Sequence, residues 1–372
     1  MTTALRRLSA VRSRVVLGAY VPARTASWAA FSRLFVAGDD RGWSIDDDRA
    51  RLTATARRLG YEVASPSWAP FVRRQAVFHH DHFSALQTRW LESSHRLGLS
   101  YFHGRPGTPG AVEFDRAYDA LRRYARRIDR VQVTHEEMRE LVVAAGVDPE
   151  KVVRIPIGVD IARFPLGDAR ARSEVRESLG IPASAFVVGS FVKDGVGLGD
   201  GLEPKLVKGP DALVATLERL RGSIPELFVL LTGPARGFVR RELELLGVPN
   251  RHILLASRDD LVRAYHAVDV TLVTSRQEGG PKSVLESMAA GVPLVATRVG
   301  QTPEVATDGA DALLASVDDV DALSAAVARV YGDAALRERL RIAGRTTAEA
   351  YTDERLDNSW AELLDGFVQR AD

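Results

Sequence analysis

The stretch Asp269-Val-Thr-Leu-Val-Thr-Ser-Arg-Gln-Glu-Gly-Gly-Pro-Lys-Ser-Val-Leu-Glu286 decides the fold of this chain. Its first part is an apolar, β-branched run that ends in polar residues, which is typical of a buried parallel strand. Two glycines and Pro281 follow, and proline suits the first turn of a helix. A strand, a glycine-rich loop and a helix start in this order present backbone N–H groups to an anion at the carboxyl edge of a sheet. The stretch therefore predicts an α/β domain with an anion-binding loop.

Two carboxylates lie in this stretch, Glu278 in the loop and Glu286 on the helix. Gly279 and Gly280 would let the backbone approach a ligand closely. Glu286 could then offer its carboxylate to a vicinal diol such as a ribose. Taken alone, the same pattern also fits a capped surface helix with two solvated glutamates.

Outward from this stretch, short β-branched runs alternate with amphipathic segments, as in parallel α/β proteins. In the second half of the chain the pattern predicts strands at residues 186–191, 227–232, 253–255, 270–274 and 294–297, and helices at residues 210–220, 238–246, 258–267 and 281–290. In the first half it predicts strands at residues 14–19, 61–64, 76–78, 99–102, 130–133 and 152–155, and helices from about 46 to 59 and at 83–97, 114–128 and 135–145. Residues 319–369 are helical in period, and a Pro/Gly-containing stretch at residues 156–168 predicts a domain boundary.

The length of the chain favours two or three domains, and its composition is that of a globular protein. The chain has 372 residues, 45% hydrophobic and 27% charged, with a net charge of +1 that requires no nucleic-acid partner. No apolar run approaches the roughly 18 residues of a membrane span. Four N-terminal arginines precede a short apolar run at residues 15–21, which we interpret as strand and not as a signal peptide.

Cysteine is absent, and lysine is rare. The absence of cysteine excludes disulfides, thiolate zinc sites and cysteine nucleophiles, and fits a reducing compartment. Ammonium groups bind phosphate as point charges. The rarity of lysine therefore suggests that lysines are kept where they bind phosphate, although chance also explains such a small number. The lysines are Lys151, Lys193, Lys205, Lys208 and Lys282.

Together with its flanks, the run from Ser275 to Glu304 resembles the donor-binding signature of the retaining glycosyltransferases of family 4. That family carries two glutamates separated by seven residues, then Met-Ala-x-Gly-x-Pro and Thr-x-x-Gly. This chain has Glu278 and Glu286, followed by Met-Ala-Ala-Gly-Val-Pro at residues 288–293 and Thr-Arg-Val-Gly at residues 297–300.

The resemblance implies the GT-B fold, an α/β architecture of two Rossmann-like domains facing each other across a cleft. The expected acceptor-binding domain comprises residues 1–160 and a C-terminal helix at about 353–372 that crosses back to it. The expected donor-binding domain comprises residues 161–352.

The resemblance also implies roles for residues. Glu286 would hold the nucleotide ribose, Glu278 would lie against the donor sugar, and Lys208, which stands in a Lys-Gly pair before a helix, would neutralise the diphosphate. Lys193 would supply a second cation. The loop that follows it is longer than in the family, so Lys205 competes with Lys193 for this role. Further donor contacts are expected from Gly279, Gly280, Pro281, Lys282, Ser283, Val284 and Gly233.

The first domain departs more from the family. His103 follows a predicted strand where members present a histidine to the donor sugar. His79, His80, Asp81 and His82 invite a metal site, but neighbouring residues of a strand point to opposite faces, and this family binds its donor with protein cations. The segment at residues 38–43 is a weak substitute for the usual donor loop, and Ile157 replaces the asparagine that is usual in the linker.

The resemblance implies transfer of a sugar from a nucleoside diphosphate sugar, UDP-sugar first and GDP-sugar second, with retention of anomeric configuration. No tightly bound cofactor and no metal would be required. The acceptor, a small molecule, glycan or lipid, is not indicated, nor is the oligomeric state. A cytoplasmic location is expected; the arginines at residues 122–130 allow peripheral contact with the inner membrane face, although a solvated, salt-bridged face accounts for them better. The alternatives are a sugar-nucleotide epimerase, a phosphorylase, and a nucleotide-sugar-binding protein without turnover; a dinucleotide-binding Rossmann enzyme is disfavoured because no strand precedes Gly-x-Gly-x-x-Gly.

Overall fold

A computed structural model of the chain describes residues 28–38, 43–197 and 199–371. The chain divides into two compact units. The first comprises the described residues up to Ile155 together with those from Asp357 onward, and the second comprises Pro156–Leu356.

The first unit is built on a parallel sheet, in which the described strands stand in the order β2-β1-β3-β4-β5-β6. The strands are β1 (Leu34–Ala37), β2 (Val63–Ala64), β3 (Ala76–His79), β4 (Arg96–Ser100), β5 (Arg130–Val133) and β6 (Val152–Arg154). All four residues of β1 and of β3 are buried, as expected when helices cover both faces of a parallel sheet.

Helices of the first unit include the segment that follows residue 356. Their bounds are Trp43–Arg58, His82–Ala85, Thr88–Leu91, Val112–Tyr124, Glu136–Ala144 and Asp357–Leu364. The last helix is held by polar contacts from this unit, because Arg58 forms an ion pair with Asp357 at 2.5 Å and Arg130 Nε donates to the carbonyl of Leu363 at 3.0 Å. The C-terminal helix therefore belongs to the first unit.

The second unit has its own parallel sheet, with described strands in the order β12-β11-β10-β7-β8-β9. These are β7 (Phe186–Ser190), β8 (Leu227–Thr232), β9 (Asn250–Ile253), β10 (Val270–Val273), β11 (Leu294–Thr297) and β12 (Leu313–Ala315). Alternate residues enter opposite cores: Val187 and Leu230 pack on one face, whereas Val188 and Val229 pack on the other.

The helices of the second unit are Ala169–Leu179, Pro210–Leu220, Gly237–Leu245, Arg258–Ala267, Lys282–Ala289, Thr302–Val305, Val320–Gly332 and Ala334–Ala350. A capping box fixes the start of Arg258–Ala267, since the Ser257 hydroxyl accepts from the backbone N–H of Asp260, whose carboxylate accepts in return from the N–H of Ser257. This cap sets the register of a helix that carries two residues of the candidate site described below.

Several predicted elements differ from the structure. A helix over residues 83–97 is wrong: two short helices end at Leu91, and β4 begins at Arg96 because it pairs with Ala76 of β3. Strand β12 was not predicted, since three residues without a β-branched side chain give no periodic signal. The predicted strand at residues 14–19 lies outside the described residues, and the first described strand, β1, was not predicted.

Two surface features bear on membranes. Within the described parts of the chain, every helix is too short or too polar to cross a bilayer. Of the arginine cluster at residues 122–130, Arg127 donates to the carbonyls of Leu91 and Ser93, and Arg130 donates to those of Leu363 and Asp365. These two guanidinium groups are hydrogen-bonded to the backbone of other segments, and both residues are half-buried.

Candidate active site

The loop between β10 and the helix Lys282–Ala289 is held from two sides. The backbone N–H groups of Arg276 and Gln277 both donate to the carbonyl of Val207, at 2.9 and 3.0 Å. From the neighbouring strand, Thr297 Oγ1 donates to the carbonyl of Ser275 at 2.6 Å. The loop thus has a defined shape at the carboxyl ends of β10 and β11, the edge at which parallel sheets place their ligands.

Glu278 is the charged centre of this loop. One carboxylate oxygen accepts from Ser275 Oγ at 3.0 Å, and the other lies 2.5 Å from Nζ of Lys208. The Glu278 side chain is 8% exposed and that of Lys208 is 19% exposed, so the pair is largely shielded from water. The structure therefore brings together two residues that were assigned to the site from different segments of the sequence.

Gly209 explains how Lys208 reaches Glu278. This glycine has φ +62°, and a Cβ there would lie 2.0 Å from the carbonyl oxygen of Thr274. Thr274 Oγ1 also donates to the carbonyl of Gly209 at 2.8 Å. Only glycine permits this approach, which places the end of the short 3-10 helix Leu206–Lys208 against the end of β10.

Arg276 braces the same loop at its outer side. Its guanidinium makes a bidentate contact with the carboxylate of Asp211, both distances being 2.7 Å, and it also reaches Asp318 at 2.6 Å. The Arg276 hydrogen bond lowers the pKa of Asp211, and the same contact raises the pKa of Arg276. The loop is consequently anchored to the start of the helix Pro210–Leu220.

Glu286 lies one turn into the helix Lys282–Ala289, and its carboxylate is held from the helix Arg258–Ala267. The Tyr265 hydroxyl donates to Glu286 Oε2 at 3.0 Å, and Arg258 Nη1 lies 3.4 Å from Oε1. Tyr265 is fully buried; burial, followed by the Glu286 charge, raises its pKa well above the usual value. The phenol therefore remains a hydrogen-bond donor at all working pH values.

The N-terminus of the helix Lys282–Ala289 carries the remaining predicted donor residues. Pro281, the predicted helix start, is the N-cap residue one position before the observed start at Lys282, and the N–H of Val284 donates to its carbonyl at 3.0 Å. Ser283 Oγ is buried and makes no hydrogen bond to the described residues. A hydroxyl of this kind beside a helix N-terminus fits an anionic ligand.

The loop that contains Lys193 and Lys205 is folded back on itself. The N–H of Lys205 donates to the carbonyl of Asp194 at 2.7 Å, and Gly195 forms an isolated antiparallel β-bridge with Pro204. Lys193 is half-buried and Lys205 is exposed. The contacts do not choose between the two as the second cation, and both assignments stay predictions.

Arg236 is a buried cation that the sequence did not single out. Its Nε lies 3.0 Å from Asp194 Oδ1, and its Nη1 donates to the carbonyls of Ser190 and Thr232 at 2.8 and 3.1 Å. Burial lowers the pKa of Arg236 and raises the pKa of Asp194. The guanidinium ties the ends of β7 and β8 to the start of the Lys193–Lys205 loop.

Gly233 follows β8 and adopts φ +85°. Its carbonyl lies 2.7 Å from Nε2 of His252, and burial lowers the pKa of that histidine. The predicted donor contact of Gly233 stays a prediction.

In the first unit, His103 follows β4 in a group of aromatic rings. Its ring centroid lies 5.4 Å from that of Phe114 and 6.1 Å from that of His82. His82 is stacked on Tyr101 at 4.2 Å, and burial lowers its pKa well below the usual value. The sugar-facing role of His103 stays a prediction.

The histidines considered for a metal have other contacts. His79 Nδ1 lies 2.9 Å from Ser84 Oγ, which donates to Asp81 Oδ2 at 2.6 Å, and His80 lies 3.8 Å from Asp48. Burial lowers the pKa of His79 to about 4. Within the described ranges, no three His, Asp or Glu side chains are arranged to hold a metal ion.

Chemically, the second unit presents a carboxylate–ammonium pair, a braced second carboxylate and a helix N-terminus with a buried hydroxyl. Sequence reasoning singled out Lys208, Glu278 and Glu286 but not Arg258 and Tyr265, which contact Glu286. The helix that carries these two was predicted at residues 258–267, but the sequence pattern does not reveal what they contact.

Comparison with known proteins identifies the family of the segment that carries these residues. The family model for glycosyl transferases group 1 matches residues 202–347, which lie within the second unit. A D-inositol 3-phosphate glycosyltransferase from Xylanimonas cellulosilytica is 32% identical over 64% of this chain and 56% of that protein. A second protein of that name, from Catenulispora acidiphila, is 28% identical over 92% of this chain and 83% of its own length. The chain spans about half the length of the first relatives that it matches.

Solved structures share the fold. Anabaena HepE, solved in complex with UDP and glucose, superposes with a TM-score of 0.72 at 17% identity, covering 90% of this chain and 99% of HepE. Sucrose-phosphate synthase from Thermosynechococcus elongatus gives a TM-score of 0.69 at 16% identity, covering 90% and 98%. Residues 202–347 therefore form a glycosyl transferases group 1 domain, and the chain has the two-unit α/β fold of the GT-B glycosyltransferases.

Proposed function

We propose that this protein transfers a sugar from a nucleoside diphosphate sugar, with UDP-sugar as the favoured donor, to a hydroxyl acceptor with retention of anomeric configuration. The observation that carries the proposal is the pairing of Lys208 with Glu278 at 2.5 Å inside the group 1 domain. The pairing supports the proposal because it sets an ammonium, which suits a diphosphate, beside a carboxylate, which suits sugar hydroxyls.

In this proposal the second unit binds the donor. Lys208 and the N-terminus of the helix Lys282–Ala289, with Ser283, stabilise the charge that develops on the leaving diphosphate. Glu286, which is held by the hydrogen bond from Tyr265, accepts hydrogen bonds from the ribose hydroxyls. Glu278 orients the sugar, and the leaving phosphate oxygen takes the acceptor proton on the same face.

The first unit binds the acceptor, and His103 faces the donor sugar. An inositol phosphate is the first acceptor to test, because relatives at about 30% identity carry that name. The reaction uses no metal, and the protein acts in the cytoplasm.

Donor binding is tested first. UDP, GDP, ADP and their sugars are compared by thermal shift, and we expect UDP and UDP-sugars to stabilise the protein most. Glu286→Ala should abolish the stabilisation, whereas the surface control Glu349→Ala, whose side chain is 52% exposed, should retain it. Stabilisation that is absent from the wild type, or unchanged in Glu286→Ala, would overturn the donor site.

Turnover separates the rival functions. UDP-glucose and an inositol phosphate are incubated with the enzyme, and the product's anomeric configuration is read by proton NMR. Retained configuration in a glycoside supports the proposal. An epimerase would convert the nucleotide sugar without an acceptor, a phosphorylase would show the absorbance of bound pyridoxal phosphate, and a binding protein would leave the donor intact.

A further inference from the structure

Gln301 is a buried amide directly behind the loop that carries Glu278. It is 1% exposed and follows Gly300, and its backbone N–H donates to the carbonyl of Gly279 at 2.9 Å. Gln301 lies within the run that resembles the family signature, but it directly follows the Thr-x-x-Gly motif of residues 297–300, and no role was predicted for it.

The Gln301 carboxamide uses both of its ends on a single residue of a distant segment. Nε2 donates to the carbonyl of Ile157 at 2.9 Å, and Oε1 accepts from the N–H of Ile157 at 2.7 Å. This is the pairing that a neighbouring strand would provide. Ile157 is the second residue of the second unit, which begins at Pro156.

Two glycines make room for this arrangement. A Cβ on Gly280 would lie 2.4 Å from Gln301 Oε1. Gly300 has φ +55°, and a Cβ there would lie 2.5 Å from the carbonyl oxygens of Glu278 and Gly279. The Gln301 carboxamide therefore occupies the space that a side chain at position 280 would need.

We propose that Gln301 is a positioning residue for the transfer reaction: it fixes the main chain of residues 278–280 against residues 156–158 and thereby sets the direction in which Glu278 meets the donor sugar. The inference rests on the proposed function. The resemblance leads one to expect an asparagine at position 157, and in this chain the carboxamide of Gln301 contacts the backbone of Ile157. None of the described contacts of Glu286 and Lys208 involves Gln301, so its loss should act on turnover and not on nucleotide affinity.

The kinetic test uses Gln301→Ala. We expect kcat to fall about 10- to 100-fold, because small misplacements of an orienting group are costly, while the Kd for UDP stays within about two-fold. A stability control is Val327→Ala, which opens a cavity in a core away from this loop and should leave kcat unchanged below its melting temperature. An unchanged kcat in Gln301→Ala, or a UDP affinity that falls in parallel with kcat, overturns the inference.

Gln301→Glu adds a pH readout. A carboxylate of the same shape accepts from the Ile157 N–H but cannot donate to the Ile157 carbonyl, whereas the protonated acid can do both. The ratio of variant to wild-type kcat should therefore rise as the pH is lowered. A ratio that is flat with pH contradicts the role of the carboxamide donor.

Hydrogen exchange tests the contact independently of activity. Gln301→Ala should speed exchange at the Ile157 and Gln301 amides and leave β10 protected, and unchanged exchange at Ile157 overturns the inference. If the wild type transfers no sugar, the proposed function fails; if it transfers sugar while Gln301→Ala is kinetically normal, only the positioning role fails.

Discussion

At the scale of single residues, the Lys208–Glu278 pair determines how the protein holds its charges before a donor binds. If the proposed function holds, a donor diphosphate must compete with Glu278 for the Lys208 ammonium, and it must also approach the Glu278 carboxylate. The Lys208–Glu278 pair should therefore lower the affinity of the site for a nucleoside diphosphate such as UDP that carries no donor sugar.

Glu278→Gln should separate these two effects. With the carboxylate removed, we expect UDP to bind roughly two- to five-fold more tightly, which corresponds to about 0.5–1 kcal/mol. Turnover should fall by about two to three orders of magnitude, as when an oriented polar group is lost from a transition state. Isothermal titration with UDP and a transfer assay measure both. Weaker UDP binding in this variant would show that Glu278 does not compete for Lys208.

Tyr265→Phe tests the support of Glu286. The substitution removes a buried donor at 3.0 Å from Glu286 Oε2 and leaves Arg258 as its described polar contact within the helix Arg258–Ala267. A hydrogen bond to a charged group contributes about 1.5–3 kcal/mol. We expect UDP affinity to fall about ten-fold and discrimination against 2′-deoxy-UDP to shrink. If affinity falls equally for UDP and 2′-deoxy-UDP, Tyr265 does not act through the ribose.

At the scale of elements, the sequence predicted β7, β8, β10 and β11 of the second unit well because these strands are fully buried, whereas the partly exposed β9 was placed three residues late at 253–255 and β12 was missed. The predicted limits of β8 and β11 and of the helices Pro210–Leu220 and Arg258–Ala267 agree with the structure residue for residue. In the first unit, strand β1 was missed and the helix over residues 83–97 was wrong, since these segments take their structure from pairing with neighbours and not from a local period.

The candidate site divides in the same way. Glu278, Glu286 and Lys208 stand in local motifs, so they could be found from the sequence. Tyr265 and Gln301 take part through contacts with residues 21 and 144 positions away, and no local pattern reports such a contact. The sequence therefore predicted the charged groups but not the residues that hold them in place.

The end of β3 should make the first unit sensitive to acid. His79 has a pKa of about 4 in the folded chain because of burial, against 6.5 when exposed. A histidine whose folded pKa is depressed stabilises the fold above pH 6.5, and this stability is lost as the pH falls toward 4. The loss amounts to about 3 kcal/mol.

His79→Asn isolates this contribution, because its amide can still donate to Ser84. The difference in unfolding free energy between wild type and variant should shrink as the pH falls from 7 to 4. Urea titration followed by tryptophan fluorescence at several pH values measures it. A difference that is constant over this range would show that His79 does not titrate as stated.

At the scale of the whole molecule, the two units can be followed with different probes. All five tryptophans, Trp28, Trp43, Trp68, Trp90 and Trp360, fall in the first unit. UDP should bind the second unit if the proposed function holds. Tryptophan fluorescence therefore reports on one core and UDP stabilisation on the other.

A matched pair of cavity variants uses this separation. Phe367→Ala empties a fully buried site edge-on to Phe78 in the first unit, and Leu243→Ala does the same in a core of the second. Each substitution should cost about 2–5 kcal/mol. Phe367→Ala should lower the midpoint of the fluorescence transition and spare the Kd for UDP, whereas Leu243→Ala should lower the transition that UDP stabilises and shift the fluorescence transition less. If both variants shift both transitions equally, the two cores unfold as one cooperative system, and the division into units describes packing without describing stability.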